Sequence, residues 1–124
     1  MLYVDANAIL RYILRDNADM AEKVCDLLVT TKVSVRYEVL AEVVYVMNKV
    51  YSMPRGEIAG YIETFLQLPN VATESEDALS VALKMYAEST MDFVDCVLYG
   101  FKAVYGHDVF TFDKQLNAML NKLT

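Results

Sequence analysis

Four short stretches rich in β-branched and aromatic residues punctuate this chain: Leu2-Tyr3-Val4, Val33-Ser34-Val35, Val71-Ala72-Thr73 and Asp108-Val109-Phe110-Thr111-Phe112. Longer segments of helical periodicity separate them, and this alternation constrains the fold most. Short apolar runs bounded by polar residues read as buried strands. Strands joined through helices pair in parallel, and such a sheet is covered on both faces. The expectation is an α/β fold with four short strands and room for a fifth. A chain of 124 residues suits a single domain over 1–124.

The helical segments carry their own punctuation. Ala8–Arg15 places Ile9, Leu10, Ile13 and Leu14 on one stripe, with Arg11 and Arg15 a turn apart on another face. Asn17-Ala18-Asp19 can cap a second helix reaching about Val29. A third spans Arg36 to Tyr51, and Pro54 suits the first turn of a fourth that ends at Pro69-Asn70. Ser75 opens a fifth. Asp92 caps a sixth that ends at Gly106, a residue suited to a left-handed C-terminal position. Lys114–Leu123 forms the last.

The hydrophobic fraction is 56 %, above the usual ~45–50 %. The excess points to a buried sheet, an oligomer face, or both. No apolar run reaches the ~18 residues of a membrane span, and nothing at the N-terminus reads as a signal peptide. Cys25 and Cys96 lie apart in apolar helices and read as reduced core thiols of a cytoplasmic protein. His107 stands alone in a Gly-His-Asp turn, so no zinc site is expected.

Chemistry gathers on carboxylates. Asp5 ends the first apolar run, at the strand edge where open α/β sheets bind ligands; it also suits the cap of the next helix. Asp113 repeats the arrangement after Phe112. Two parallel strands would bring both acids to one edge. Glu42 sits among Ala41, Val43 and Val44 in the third helix, and Asp95 lies between Val94 and Cys96 at the start of the sixth. Taken singly, each also reads as an ordinary surface acid or helix-dipole partner. Glu38 reads as a solvated neighbour of Glu42, and Asp92 as a cap. Gathered carboxylates raise one another's pKa or require a cation, and oxygen-only donors select Mg²⁺ or Mn²⁺. Such sites do phosphoryl chemistry. Asn7 and Thr111, each two residues from a proposed ligand, are expected to orient the carboxylates or water. Net charge is −6; setting the four candidate acids aside leaves 11 basic against 13 acidic side chains. Arg11, Arg15, Arg36 and Lys114 are the candidate contacts for a phosphate backbone.

Four pieces in order, Tyr3-Val4-Asp5-Ala6-Asn7, Val39-Leu40-Ala41-Glu42-Val43, Asp92-Phe93-Val94-Asp95-Cys96-Val97-Leu98 and Val109-Phe110-Thr111-Phe112-Asp113, give a family resemblance. The sequence resembles a PIN-domain ribonuclease, specifically a VapC-type toxin of prokaryotic toxin–antitoxin systems. The resemblance covers essentially the whole chain. It implies a three-layer α/β/α fold and a catalytic, metal-holding quartet carried onto Asp5, Glu42, Asp95 and Asp113. It further implies Mg²⁺- or Mn²⁺-dependent RNA hydrolysis, a homodimer and a small inhibitory antitoxin. The alternatives are a PIN-domain RNA-processing nuclease without a toxin role, and a non-catalytic acidic metal-binding interaction module. A haloacid-dehalogenase-like phosphatase would want a second aspartate where this chain has Asn7. A receiver-like module would want a lysine at a later strand end, a position that Lys114 does not fill. The third helix and the Tyr61–Phe65 segment carry apolar surface that suits a dimer contact and an antitoxin groove.

Overall fold

A computed structural model describes all residues, 1–124. The sheet is parallel and three-stranded, in the order β1-β2-β3, with β1 at Leu2–Tyr3, β2 at Val33–Val35 and β3 at Val71–Thr73. Leu2 pairs with Val33, and Val33 in turn with Val71, so the strands run in step. Seven helices surround this small sheet: α1 (Ala6–Leu14), α2 (Ala18–Thr30), α3 (Tyr37–Lys49), α4 (Arg55–Leu66), α5 (Glu76–Glu88), α6 (Phe93–Tyr105) and α7 (Lys114–Asn121). The architecture is a helix-rich α/β fold built on a three-stranded parallel sheet.

One strand fewer forms than the four expected. Asp108–Phe112 is not part of the sheet, and the outer edge of β1 carries no strand. The Val-Phe-Thr-Phe pattern has the side chains of a strand, but its polar groups are used locally. Thr111 Oγ1 accepts from the Asp113 amide at 3.0 Å, and the Thr111 carbonyl accepts from Asn117 Nδ2 at 2.8 Å. Such side-chain–backbone bonds compete with a ladder. Phe110 and Phe112 are 87 % and 90 % exposed and meet edge to face, 5.3 Å apart.

The elements follow local chemistry. Asn17 caps α2 through the Met20 amide, and Gly106, at φ +70°, closes α6 in the left-handed conformation. The core joins 26 buried residues, among them Val33 and Val35 of β2, Leu40, Val43, Val44 and Met47 of α3, and Ile58, Ile62 and Phe65 of α4. Phe65 is therefore interior, while Tyr61 stays outside on the same helix. Between α5 and α6 the backbones come close. A Cβ on Gly100 would stand 2.4 Å from the Ala78 carbonyl oxygen, so glycine is required there. No helix is long and apolar enough to cross a membrane.

Candidate active site

Asp5 follows β1 by way of the buried Val4 and caps α1; its Oδ1 accepts from the Ala8 amide at 2.9 Å. Asp113 caps α7 in the same way, Oδ2 accepting from the Leu116 amide at 2.8 Å. The two readings of Asp5 are thus compatible: the cap occupies one oxygen, and an exposed carboxylate has a second to offer. Asn7 is exposed in the first turn of α1. Thr111 fixes the turn that presents Asp113, through the bond to its amide.

Asp95 occupies the third position of α6, half-buried, after Asp92 at the cap. Partial burial, then the charges of Asp113 and Asp92, push the Asp95 carboxyl above the usual aspartate range. Asp92, Asp95 and Asp113 therefore share one electrostatic field, although they come from the start of α6 and the start of α7. Asp92 makes no side-chain capping bond, which frees its carboxylate. Glu42 is exposed on α3, a helix that packs against both α1 and α6. No three His, Cys, Asp or Glu side chains stand together at metal-ligand spacing. The donor chemistry nonetheless fits a hard divalent cation. The acids are oxygen donors, and the like-charge crowding at Asp95 is what a cation relieves.

The basic residues sort differently from expectation. Arg11 pairs with Asp16 at 2.8 Å, and Arg15 lies over the Tyr12 ring at 5.0 Å. Arg36 pairs with Glu38 and reaches Glu74 at 3.3 Å, so Glu38 has a cationic partner rather than solvent alone. Lys114 is exposed directly after Asp113.

Sequence reasoning passed over Arg55. It is the first residue of α4, where a cation opposes the helix dipole. Two carbonyls hold it: Nε donates to Tyr86 at 2.8 Å, and a terminal nitrogen donates to Met91. Its guanidinium also lies 3.7 Å from the Tyr86 ring centroid. The misplaced charge at a helix start was the available sign that something else holds this side chain.

A profile of the PIN domain matches residues 2–120, nearly the whole chain. The chain belongs to the PIN domain family. PIN domains are generally nucleases, acting on nucleic acids and typically using divalent metal ions. Comparison with curated proteins and with solved structures gave no match. The PIN match spans all four pieces that carry the candidate acids and runs through the unpaired segment before Asp113.

Proposed function

We propose that this PIN domain, a single domain over 1–124, is a ribonuclease that hydrolyses RNA phosphodiester bonds with Mg²⁺ or Mn²⁺. Asp5, Glu42, Asp95 and Asp113 are the proposed metal-holding and catalytic residues. The observation that carries the reading is Asp95, half-buried, where burial first and then the charges of Asp113 and Asp92 raise the carboxyl's pKa. Three acids kept in one field without a basic partner suit a cation better than they suit stability. When bound, such a cation neutralises charge developing on the phosphate and activates water.

The chain's own residues supply the rest. Capping bonds at Asp5 and Asp113 fix the two carboxylates against the helix starts. Thr111 holds the turn before Asp113, and Asn7 offers an amide beside Asp5. Asp92, exposed and without a capping bond, is available as a fifth acid.

In the cell, the proposed role is that of a cytoplasmic toxin: a homodimer silenced by a small antitoxin. The pattern of the four motif pieces supports this, as do the exposed tyrosines Tyr37, Tyr51 and Tyr61. Purified protein should cut single-stranded RNA with Mg²⁺ or Mn²⁺ and stop in excess EDTA. Equal cutting by Asp5→Asn sinks the nuclease reading. Expression of the chain alone should arrest growth, and Asp5→Asn should not. Normal growth with an active nuclease leaves an RNA-processing enzyme rather than a toxin. A monomer at every concentration in light scattering removes the homodimer.

A further inference from the structure

A cleft of about 420 Å³ opens between the second half of α3 and the start of α6. Ala41, Tyr45, Asn48 and Lys49 form the α3 wall, Arg55 and Tyr86 contribute beneath, and Thr90, Asp92, Phe93 and Val94 form the other side. The cleft adjoins the proposed acids along the chain on both walls. Glu42 follows Ala41 on one, and Asp95 follows Val94 on the other. Thr90 is further tied to α7, just past Asp113, by a 3.0 Å bond from Gln115 Nε2.

Three features of the cleft suit one ligand chemistry. Tyr45 is 64 % exposed, a flat aromatic face on which no other aromatic ring is stacked. Lys49 and Arg55 are cations without a carboxylate within ion-pair distance, unlike Arg11 and Arg36. Arg55 is also immobilised by Tyr86 and Met91, so little side-chain freedom remains to be lost on binding. Asn48 is oriented too: its Nδ2 donates to the Met53 carbonyl at 3.2 Å, which leaves the amide oxygen for another donor. An aromatic platform beside paired cations is how proteins hold a single-stranded nucleic acid. Asp92 is the one acid in the lining against two cations, so the anion belongs against Lys49 and Arg55. The volume is in the range of small-ligand sites and matches one nucleotide better than a helix or a duplex.

We infer that this cleft is a nucleotide subsite for single-stranded RNA, taking the nucleotide that neighbours the cleaved bond. Its base stacks on Tyr45, and its phosphate sits against Lys49 and Arg55. The inference rests on the nuclease reading for its place in the reaction, but its test is binding and needs no cleavage.

The probe is a fluorescein-labelled ten-nucleotide single-stranded RNA, titrated by anisotropy into the full chain carrying Asp5→Asn, which keeps the cap. Adding Tyr45→Ala should weaken binding about tenfold, in the range that loss of one stacked base gives. Tyr45→Phe should restore it. Lys49→Ala should weaken binding and flatten its salt dependence by about one phosphate contact. Met20→Ala, exposed on α2 and outside the cleft, should change nothing. The chain has no tryptophan, so Tyr45→Trp supplies a single tryptophan whose emission bound single strand should quench. Tyr45 and Lys49 are exposed, so thermal melts of these variants should match the parent. Unchanged affinity in both Tyr45→Ala and Lys49→Ala overturns the subsite, as does a duplex bound as tightly as the single strand, or no binding by the parent. If the unsubstituted chain fails to cut RNA while Tyr45 and Lys49 still govern binding, the nuclease reading falls and the subsite stands.

Discussion

The turns at Asp5 and at Asp113 begin from the same sequence idea and end differently. In each, an apolar run meets an aspartate and a helix follows. In each, the aspartate caps the helix through the amide three residues on. Ahead of Asp5 the chain lies in the sheet, paired with β2 and continued by the buried Val4. Ahead of Asp113 it pairs with no strand and leaves Phe110 and Phe112 in solvent. A cap is decided by four consecutive residues. A strand is decided by a partner that the local sequence does not contain. The same motif therefore guarantees the helix start in both places and the strand in only one.

The sharpest way to separate cap from chemistry uses asparagine, which caps about as well as aspartate but carries no charge. Asp5→Asn and Asp113→Asn should each lower RNA cleavage by at least about a hundredfold, beyond what supporting partners of a metal site cost. Their melting temperatures should stay within a degree or so of the parent. Full activity in either variant would remove that aspartate from the site and leave it as a cap.

The sheet anchor is tested next. Val4→Ala should cost about 2 kcal/mol in urea unfolding, from lost burial and the space left behind. Phe112→Ala should stay within about 0.5 kcal/mol, as an exposed residue does. A large loss at Phe112 would mean that the second run packs in solution and that the two turns are more alike than they look.

The caps themselves come third. Asp5→Ala and Asp113→Ala should each lose about 1 kcal/mol. The Asp113 loss should show in amide exchange as local opening of α7, which packs chiefly on α6. Global unfolding triggered equally by both would contradict that difference in anchoring.

The smallest effect concerns Asp95, whose carboxyl is raised by burial and by Asp113 and Asp92. A raised carboxyl favours the folded state while it is protonated and loses that advantage as pH rises through its folded pKa. In EDTA, Asp95→Asn should therefore melt slightly above the parent at pH 7, and the gap should close below the ordinary aspartate value of 3.8. An equal gap at every pH would argue against a raised carboxyl at Asp95.

Much of the fold was legible in local signals. Val33–Val35 and Val71–Thr73 form as read, and the helix boundaries at Asn17, Pro54, Asp92 and Gly106 fall where caps and breakers put them. The first helix begins at Ala6 rather than Ala8, because the Asp5 cap acts before the apolar stripe starts. The missing fourth strand was not legible. Thr111 and Asn117 supply local hydrogen bonds that periodicity does not reveal. Acids could be nominated from strand ends and apolar helical settings, since charge in such places stands out. The α3–α6 cleft could not be nominated, because Tyr45, Lys49 and Arg55 each look ordinary until two helices, α3 and α4, bring them to one opening.

Gly100 has a consequence for how the molecule holds its dimensions. With the Ala78 carbonyl pressed where a Cβ would be, α5 and α6 fit in a single vertical setting. Sliding α6 by one turn either way would bring Cys96 or Val104 to that spot, and the backbone opposite has no room for either. The contact works as a stop on a ruler. It sets the height of the α6 start against the rest of the domain, and with it the level at which Asp92 and Asp95 meet whatever enters between α3 and α6.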